Sequence, residues 1–136
     1  MYCELVKSFA EATQVLKDEP EMLNEIKVDF IIEMVQSELE ELKRANTTVD
    51  QADAFIDIIY YICHSALKSG IDLDKLFPLV HAANMRKLVN GKAVLDRRGK
   101  VLKPKGWYGP EKEMQKVLDT PKLPISVISK ENHSGL

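Results

Sequence analysis

Apolar residues recur at helical spacing along most of the chain, and the main elements they predict are helices. The helices are predicted over residues 2–17, 21–45, 50–69, 71–89 and 111–118. Pro78 is expected either to kink the fourth helix or to begin a new one. Turn signals between the fourth and last helices surround two short extended pieces, which suggest a small hairpin or an ordered loop. The pattern therefore predicts an all-α protein.

The second and third helices are separated by a short polar break, which predicts that they are antiparallel neighbours. Asp50 is expected to cap the third helix, and Gly70 is expected to end it in the left-handed conformation. Most of the circumference of this helix is apolar, which is typical of a buried helix. We predict an antiparallel bundle of about four main helices with a short loop or hairpin. The bundle would occupy residues 1–119 as one domain, and residues 120–136 would form a C-terminal arm or tail.

Acidic residues interrupt the apolar faces of the second and third helices. Glu38 occupies a position in the apolar stripe of the second helix, and Glu41 leaves the same side three residues later. Asp53 and Asp57 lie one turn apart on the narrow polar line of the third helix. Bringing the two helices together would place these carboxylates in a half-buried seam, where they repel one another and lose hydration. A divalent cation relieves both costs, and hard carboxylate oxygens favour Mg²⁺.

Any one of these acids could instead lie at the margin of the apolar stripe of its helix and be solvated. Two acidic pairs on adjacent helices favour the metal site over that alternative. Glu33 and Glu40 lie on the opposite face of the second helix, where we expect them to be solvated.

The net charge of −2 conceals a strong asymmetry along the chain. Residues 1–85 carry 7 Lys/Arg against 16 Asp/Glu, whereas residues 86–116 carry 10 Lys/Arg against 3 Asp/Glu. The acidic half suits a cation and the basic segment suits an anion, so a metal-bound polyphosphate would satisfy both. Nucleic acid is the rival partner for the basic segment. We disfavour it because there is no long basic helix and no ladder of interleaved aromatic residues.

Candidate ligands for the anion follow the fourth helix. The donors suited to phosphate oxygens are Lys87, Lys100 and Lys103. Asn84 could position a nucleotide through its base or sugar, or bind metal through its amide oxygen. Trp107 and Tyr108 could stack on a nucleobase. A tryptophan that covers the core is an equally good interpretation of Trp107.

Composition adds few constraints. An apolar content of 45% and a charged content of 29% are typical of an ordinary globular domain. No apolar run is long enough to span a membrane, no signal-peptide pattern follows Met1, and the two cysteines suit neither a disulfide framework nor a zinc site. We expect a cytoplasmic protein with no membrane partner.

Three passages resemble motifs of the all-α nucleoside triphosphate pyrophosphohydrolase superfamily, which includes the MazG-like and phosphoribosyl-ATP pyrophosphohydrolase-like enzymes. Residues 37–42 (S-E-L-E-E-L) are similar to its E-E-x-x-E-L helix, and residues 53–57 (D-A-F-I-D) to its second acidic motif. Residues 80–88 and 99–103 resemble the V-H-x-x-N-M-x-K and G-K-V-L-K signature of one branch. The order and spacing of these motifs are more specific than any one of them, and they cover roughly residues 28–112.

The resemblance implies a dimeric or tetrameric helical bundle that hydrolyses a nucleoside triphosphate between the α- and β-phosphates. The products would be a nucleoside monophosphate and pyrophosphate, and the cofactor would be Mg²⁺, with Mn²⁺ as a substitute. By position, Glu38, Glu41 and Asp57 match the family's catalytic metal ligands, and Asp53 matches a further ligand. The residues expected to bind the substrate are Asn84, Lys87, Lys100, Lys103 and Tyr108.

Two departures from the family pattern leave alternatives open. Ser37 stands where many relatives carry a glutamate, and Ala54 replaces an acid if the commoner second motif is used for alignment. The number of metal ions, one or two, is therefore open. A non-catalytic helical dimer that binds nucleotide or a partner protein is one alternative function. A relative specific for phosphoribosyl-ATP or dUTP is another.

Overall fold

The computed structural model describes residues 2–13 and 16–120, which form five α-helices. The helices are α1 (Tyr2–Thr13), α2 (Glu25–Arg44), α3 (Thr48–Lys68), α4 (Leu73–Met85) and α5 (Glu111–Asp119). Within those residues there is no strand, only two isolated antiparallel bridges. The predicted all-α class is confirmed. The predicted arm or tail lies almost entirely in 121–136, outside the described residues, so the domain division stays a prediction.

The caps place helices α2 and α3 a few residues away from their predicted starts. The side chain of Asn24 accepts a hydrogen bond from the backbone N–H of Lys27 at 2.9 Å, so α2 begins after Asn24. Thr47 caps α3 by accepting from the N–H of Asp50 at 3.2 Å. The prediction that Asp50 is the cap was therefore wrong. Asp50 lies in the first turn of α3, where its charge interacts favourably with the helix dipole.

Helix α4 is a single helix that contains Pro78. Asp72 caps its start, and Arg86 is its C-terminal cap, so the predicted extension to residue 89 was wrong. The chain then forms two tight turns, one closed by the bridge Val89–Lys92 and the other by the bridge Leu95–Val101. This confirms the small hairpin or ordered loop predicted between the fourth and last helices.

The buried core lies mainly between α1 and α3. Cys3 and Val6 of α1 pack with Cys63 and Leu67 of α3, and both cysteines are free thiols. The start of α1 is held by Asp74 of α4, whose carboxylate accepts from the N–H groups of Cys3 and Glu4. This cap comes from a residue distant in sequence, and it fixes α1 against α4 as well as α3.

The end of α3 also holds the segment that leads into α2. The N–H of Glu21 donates to the carbonyl of Ser69 at 2.9 Å. Gly70 has a φ of 77°, and a Cβ there would lie 2.1 Å from the carbonyl oxygen of Glu19. Both the positive φ and the lack of space for a Cβ require glycine at this position. The predicted left-handed end of the third helix is thus confirmed, with a close backbone approach as a second reason for it.

Helices α2 and α3 pack side by side but leave much apolar surface uncovered. No residue of α2 is fully buried, and Ile26 and Phe30 are 80% and 56% exposed. On α3, Phe55 and Ile56 are 54% and 58% exposed. Within a single chain, α3 therefore keeps part of its apolar surface exposed, and its complete burial, which would need a second subunit, stays a prediction. No helix in the described part of the chain has the length and apolar character needed to cross a membrane.

Candidate metal and nucleotide site

Three carboxylates converge where α2 and α3 pack together. Glu38 and Glu41 lie on one side of α2, and Asp57 faces them from α3. One oxygen from each residue lies within 4.8 Å of the other two. We call these three residues the acidic trio. The helical spacing that placed Glu38 and Glu41 on one side, together with the short loop between the helices, produces this convergence.

Glu38 is the most constrained member of the acidic trio. Its Oε2 atom is buried and has no hydrogen-bond partner. Burial raises the pKa of the Glu38 carboxyl, and the charges of Glu41 and Asp57 raise it further, as does a hydrogen bond with Glu41. A buried carboxylate oxygen without a donor is costly, so a positively charged ligand at this position would stabilise it.

The trio fits a small divalent cation. Oxygens that bind one Mg²⁺ at about 2.0–2.1 Å can be no more than about 4.2 Å apart, and oxygens that all lie within 4.8 Å of one another are inside that limit or close to it. An oxygen-only ligand set favours Mg²⁺ or Mn²⁺ over softer metals. The open coordination positions would be available to phosphate oxygens and water.

The structure places Asp53 apart from the other predicted ligands. Asp53 is exposed, one turn before Asp57 on α3, and it is not part of the group within 4.8 Å. Its charge still contributes to the raised pKa of Glu38. Asp53 is therefore near enough to add to the negative potential of the site.

Lysines from two segments meet on the ring of Trp107. The ammonium nitrogen of Lys87 lies 5.3 Å from the ring centre, and that of Lys103 lies 4.9 Å from it. The indole N–H of Trp107 donates to the carbonyl of Ala83 in α4 at 2.8 Å. Two of the predicted substrate-binding lysines are thus brought together, and the organising residue is Trp107.

The remaining predicted substrate-binding residues occupy separate positions. Asn84 is exposed near the end of α4, and Lys100 is exposed in the turn that Asp96 stabilises by accepting from its N–H at 2.9 Å. Tyr108 is 58% exposed, and the guanidinium of Arg86 lies over its ring, 4.1 Å from the ring centre. Arg86 also donates to the carbonyl of Tyr108 at 3.2 Å, so it braces the turn that holds Tyr108.

The acidic trio does not contact Lys87 or Lys103 within one chain. Helix α2 makes no direct contact with α4 or α5, and no ion pair in residues 2–13 and 16–120 joins the trio to Lys87 or Lys103. Sequence analysis missed two features here, the anchoring of Trp107 and the bracing role of Arg86. The signal for Trp107 was its place between glycines, Gly106 and Gly109, downstream of the lysines.

The chain was compared with known protein families. Residues 3–84 match the model described as phosphoribosyl-ATP pyrophosphohydrolase. The matched region includes α2, α3, all but the first residue of α1 and all but the last residue of α4. It therefore contains the acidic trio, but it ends before Lys87 and the hairpin. No curated protein was found to match the chain.

Proposed function

The chain belongs to the phosphoribosyl-ATP pyrophosphohydrolase family, and from this premise we propose that it is a Mg²⁺-dependent nucleoside triphosphate pyrophosphohydrolase. The reaction cleaves the bond between the α- and β-phosphates and releases a nucleoside monophosphate and pyrophosphate. The single observation that carries the proposal is the acidic trio, in which three carboxylates from two helices converge and one of their oxygens, Oε2 of Glu38, is buried with no hydrogen-bond partner.

Glu38, Glu41 and Asp57 would hold the cation, and Asp53 would add negative potential or a further ligand. When bound, Mg²⁺ would neutralise negative charge on the phosphates and supply a water molecule of lowered pKa. The trio fixes the place of attack because its carboxylates project from two packed helices rather than from a loop. No covalent nucleophile is needed for this hydrolysis.

The basic residues after α4 would bind the other end of the substrate. Lys87, Lys100 and Lys103 would neutralise the charge that develops on the leaving pyrophosphate. Asn84 would position the nucleotide, and the free face of Tyr108 would accept a base.

A homodimer, or a tetramer built from dimers, would cover the apolar surfaces of α2 and α3. Ile26, Phe30 and Ile56 are all more than half exposed in the single chain, and association would remove such apolar side chains from water.

Phosphoribosyl-ATP itself is the second candidate substrate. The description of the matching family names this nucleotide, and the acidic trio would act on its α–β bond in the same way. The preference between it and a (d)NTP depends on contacts to the base and sugar.

The proposal is tested by measuring pyrophosphate release from a panel of (d)NTPs and phosphoribosyl-ATP with Mg²⁺. We expect turnover by the wild type and a loss of about 100-fold or more in Glu41→Gln and Asp57→Asn, since each removes a charged ligand. Glu40→Gln is the matched control, because Glu40 is an exposed acid next to Glu41 on the same helix. We expect it to retain full activity.

If no nucleotide is cleaved by the wild type, the hydrolase proposal is wrong. A nucleotide that nevertheless raises the melting temperature only with Mg²⁺ would then identify a non-catalytic binding protein. Equal losses in Glu40→Gln and Glu41→Gln would contradict the assignment of the trio.

A further inference from the structure

Two positive charges lie against one aromatic ring. Lys87 follows the end of α4, and Lys103 follows the hairpin, yet both ammonium nitrogens lie within 5.3 Å of the centre of the Trp107 ring. A cation within about 6 Å of a ring centre is attracted by the negative face of the ring. Because both distances are measured to one point, the two ammonium nitrogens can be no farther apart than the sum of these distances.

The ring that holds them is itself fixed. Its N–H donates to the carbonyl of Ala83, and the backbone N–H of Trp107 donates to the carbonyl of Pro104 at 3.0 Å. Gly106, with a φ of 80°, allows the tight turn between these two residues. The indole is therefore anchored both at its ring and at its backbone, which gives the lysines a rigid surface.

The two ammonium groups lack compensating charges. Within the part of the chain that the structure describes, neither Lys87 nor Lys103 forms an ion pair with a carboxylate. Like charges held close together repel, and an anion between them would remove that cost. Two positioned cations match a multiply charged anion, and two cations that contact the ring from different segments can reach different phosphates of a linked chain.

We propose that Trp107 is a positioning residue that holds Lys87 and Lys103 together as a clamp for a polyphosphate chain. The inference rests on the proposed function, in which these lysines bind the pyrophosphate end of the substrate, and it assigns to Trp107 a role that the motifs do not indicate. The clamp lowers the cost of ordering two flexible side chains when the phosphates bind.

The clamp is tested by titrating inorganic pyrophosphate into the full chain at low ionic strength, without nucleotide or metal, and measuring the heat of binding. Trp107→Phe keeps an aromatic face, whereas Trp107→Leu keeps only apolar bulk, and both lose the ring N–H. We expect the phenylalanine variant to bind within about threefold of the wild type and the leucine variant to bind about tenfold more weakly. Lys92→Ala removes an exposed lysine elsewhere in the same segment and is expected to change nothing.

Equal affinities of the Phe and Leu variants would overturn the inference, as would a wild type that does not bind pyrophosphate. If both variants fail to fold by circular dichroism, Lys87→Ala, Lys103→Ala and the double variant replace them. A clamp predicts that the double variant loses less than the product of the two single losses, and independent losses would overturn it. Because the readout is pyrophosphate binding, an absence of nucleotide hydrolysis would count against the proposed function alone.

Discussion

At the scale of single residues, Glu38 bears much of the electrostatic cost of the acidic trio. Burial and the charges of Glu41 and Asp57 raise its pKa above the ordinary value of 4.5. A carboxyl with a raised pKa binds protons more readily in the folded state, so its contribution to stability falls as the pH rises above that value. A residue that costs stability at neutral pH is typical of a binding site.

Glu38→Gln should therefore stabilise the metal-free protein. In the presence of a chelator at pH 8, we expect the variant to melt at a higher temperature than the wild type, with the difference shrinking as the pH approaches 4.5. Mg²⁺ at a hundredfold excess over its Kd should stabilise the wild type by about 2.7 kcal/mol and the variant by less. Thermal melts with chelator and with Mg²⁺ measure both effects. A lower melting temperature of the variant in chelator would contradict this account of Glu38.

His64 on α3 gives a pH dependence of the opposite sign. Burial, followed by the charge of Lys68, lowers the pKa of His64 below its ordinary 6.5. The unfolded chain then takes up the proton first, so this contribution to stability is lost as the pH falls below 6.5. We expect His64→Gln to lose less stability than the wild type between pH 7.5 and 5.5 in urea unfolding experiments. Parallel pH profiles for the two proteins would show that His64 does not contribute.

At the scale of the elements, α1 depends on a cap supplied by another helix. Asp74 accepts hydrogen bonds from the N–H groups of Cys3 and Glu4 at 3.2 and 2.9 Å. Asp74→Ala should lower the free energy of unfolding by about 1–2 kcal/mol, since a lost cap leaves these donors unpaired. Asp74→Asn, which keeps one accepting oxygen, should lose less. Urea unfolding measures the free energy of unfolding of both variants. Equal losses in the two would mean that the loss of stability does not come from the missing cap.

The helices could be predicted from periodicity, but their boundaries depended on competing local signals. Thr47 and Asp50 are both good capping residues, and the sequence does not say which one the backbone uses. The cap that Asp74 provides to α1 joins residues distant in sequence, so no local pattern could show it. Pro78 was placed correctly within a helical segment, while its tolerance in one continuous helix depends on the surrounding structure.

At the scale of the whole molecule, much apolar surface of α2 and α3 is exposed in the single chain. We predict that Ile56→Asp shifts the protein from a dimer to a monomer. In a symmetric dimer each of the two subunits would bury one unpaired carboxylate at the contact, which is unfavourable. Leu95→Asp is the control, since Leu95 is similarly exposed but lies in the hairpin. Sedimentation velocity measures the change. A wild type that is already monomeric at micromolar concentration would contradict the prediction.

The acidic trio was predictable because helical spacing puts Glu38 in an apolar stripe and the short loop brings Asp57 opposite to it. Lys87 and Lys103 were predicted to bind phosphate from charge and motif alone. Their contacts with Trp107 arise from loop geometry that has no periodic signature. An apolar helix has the same sequence pattern whether its own chain or a second chain covers it, so the sequence predicted an apolar α3 but not which of its residues one chain leaves exposed.

The most direct test of the central claim is phosphorus NMR of the products formed from a nucleoside triphosphate with Mg²⁺. The account predicts a nucleoside monophosphate and pyrophosphate, formed by the wild type and Glu40→Gln and not by Glu41→Gln or by the wild type in chelator. A nucleoside diphosphate with orthophosphate, or products that form equally well without a divalent cation, would contradict it.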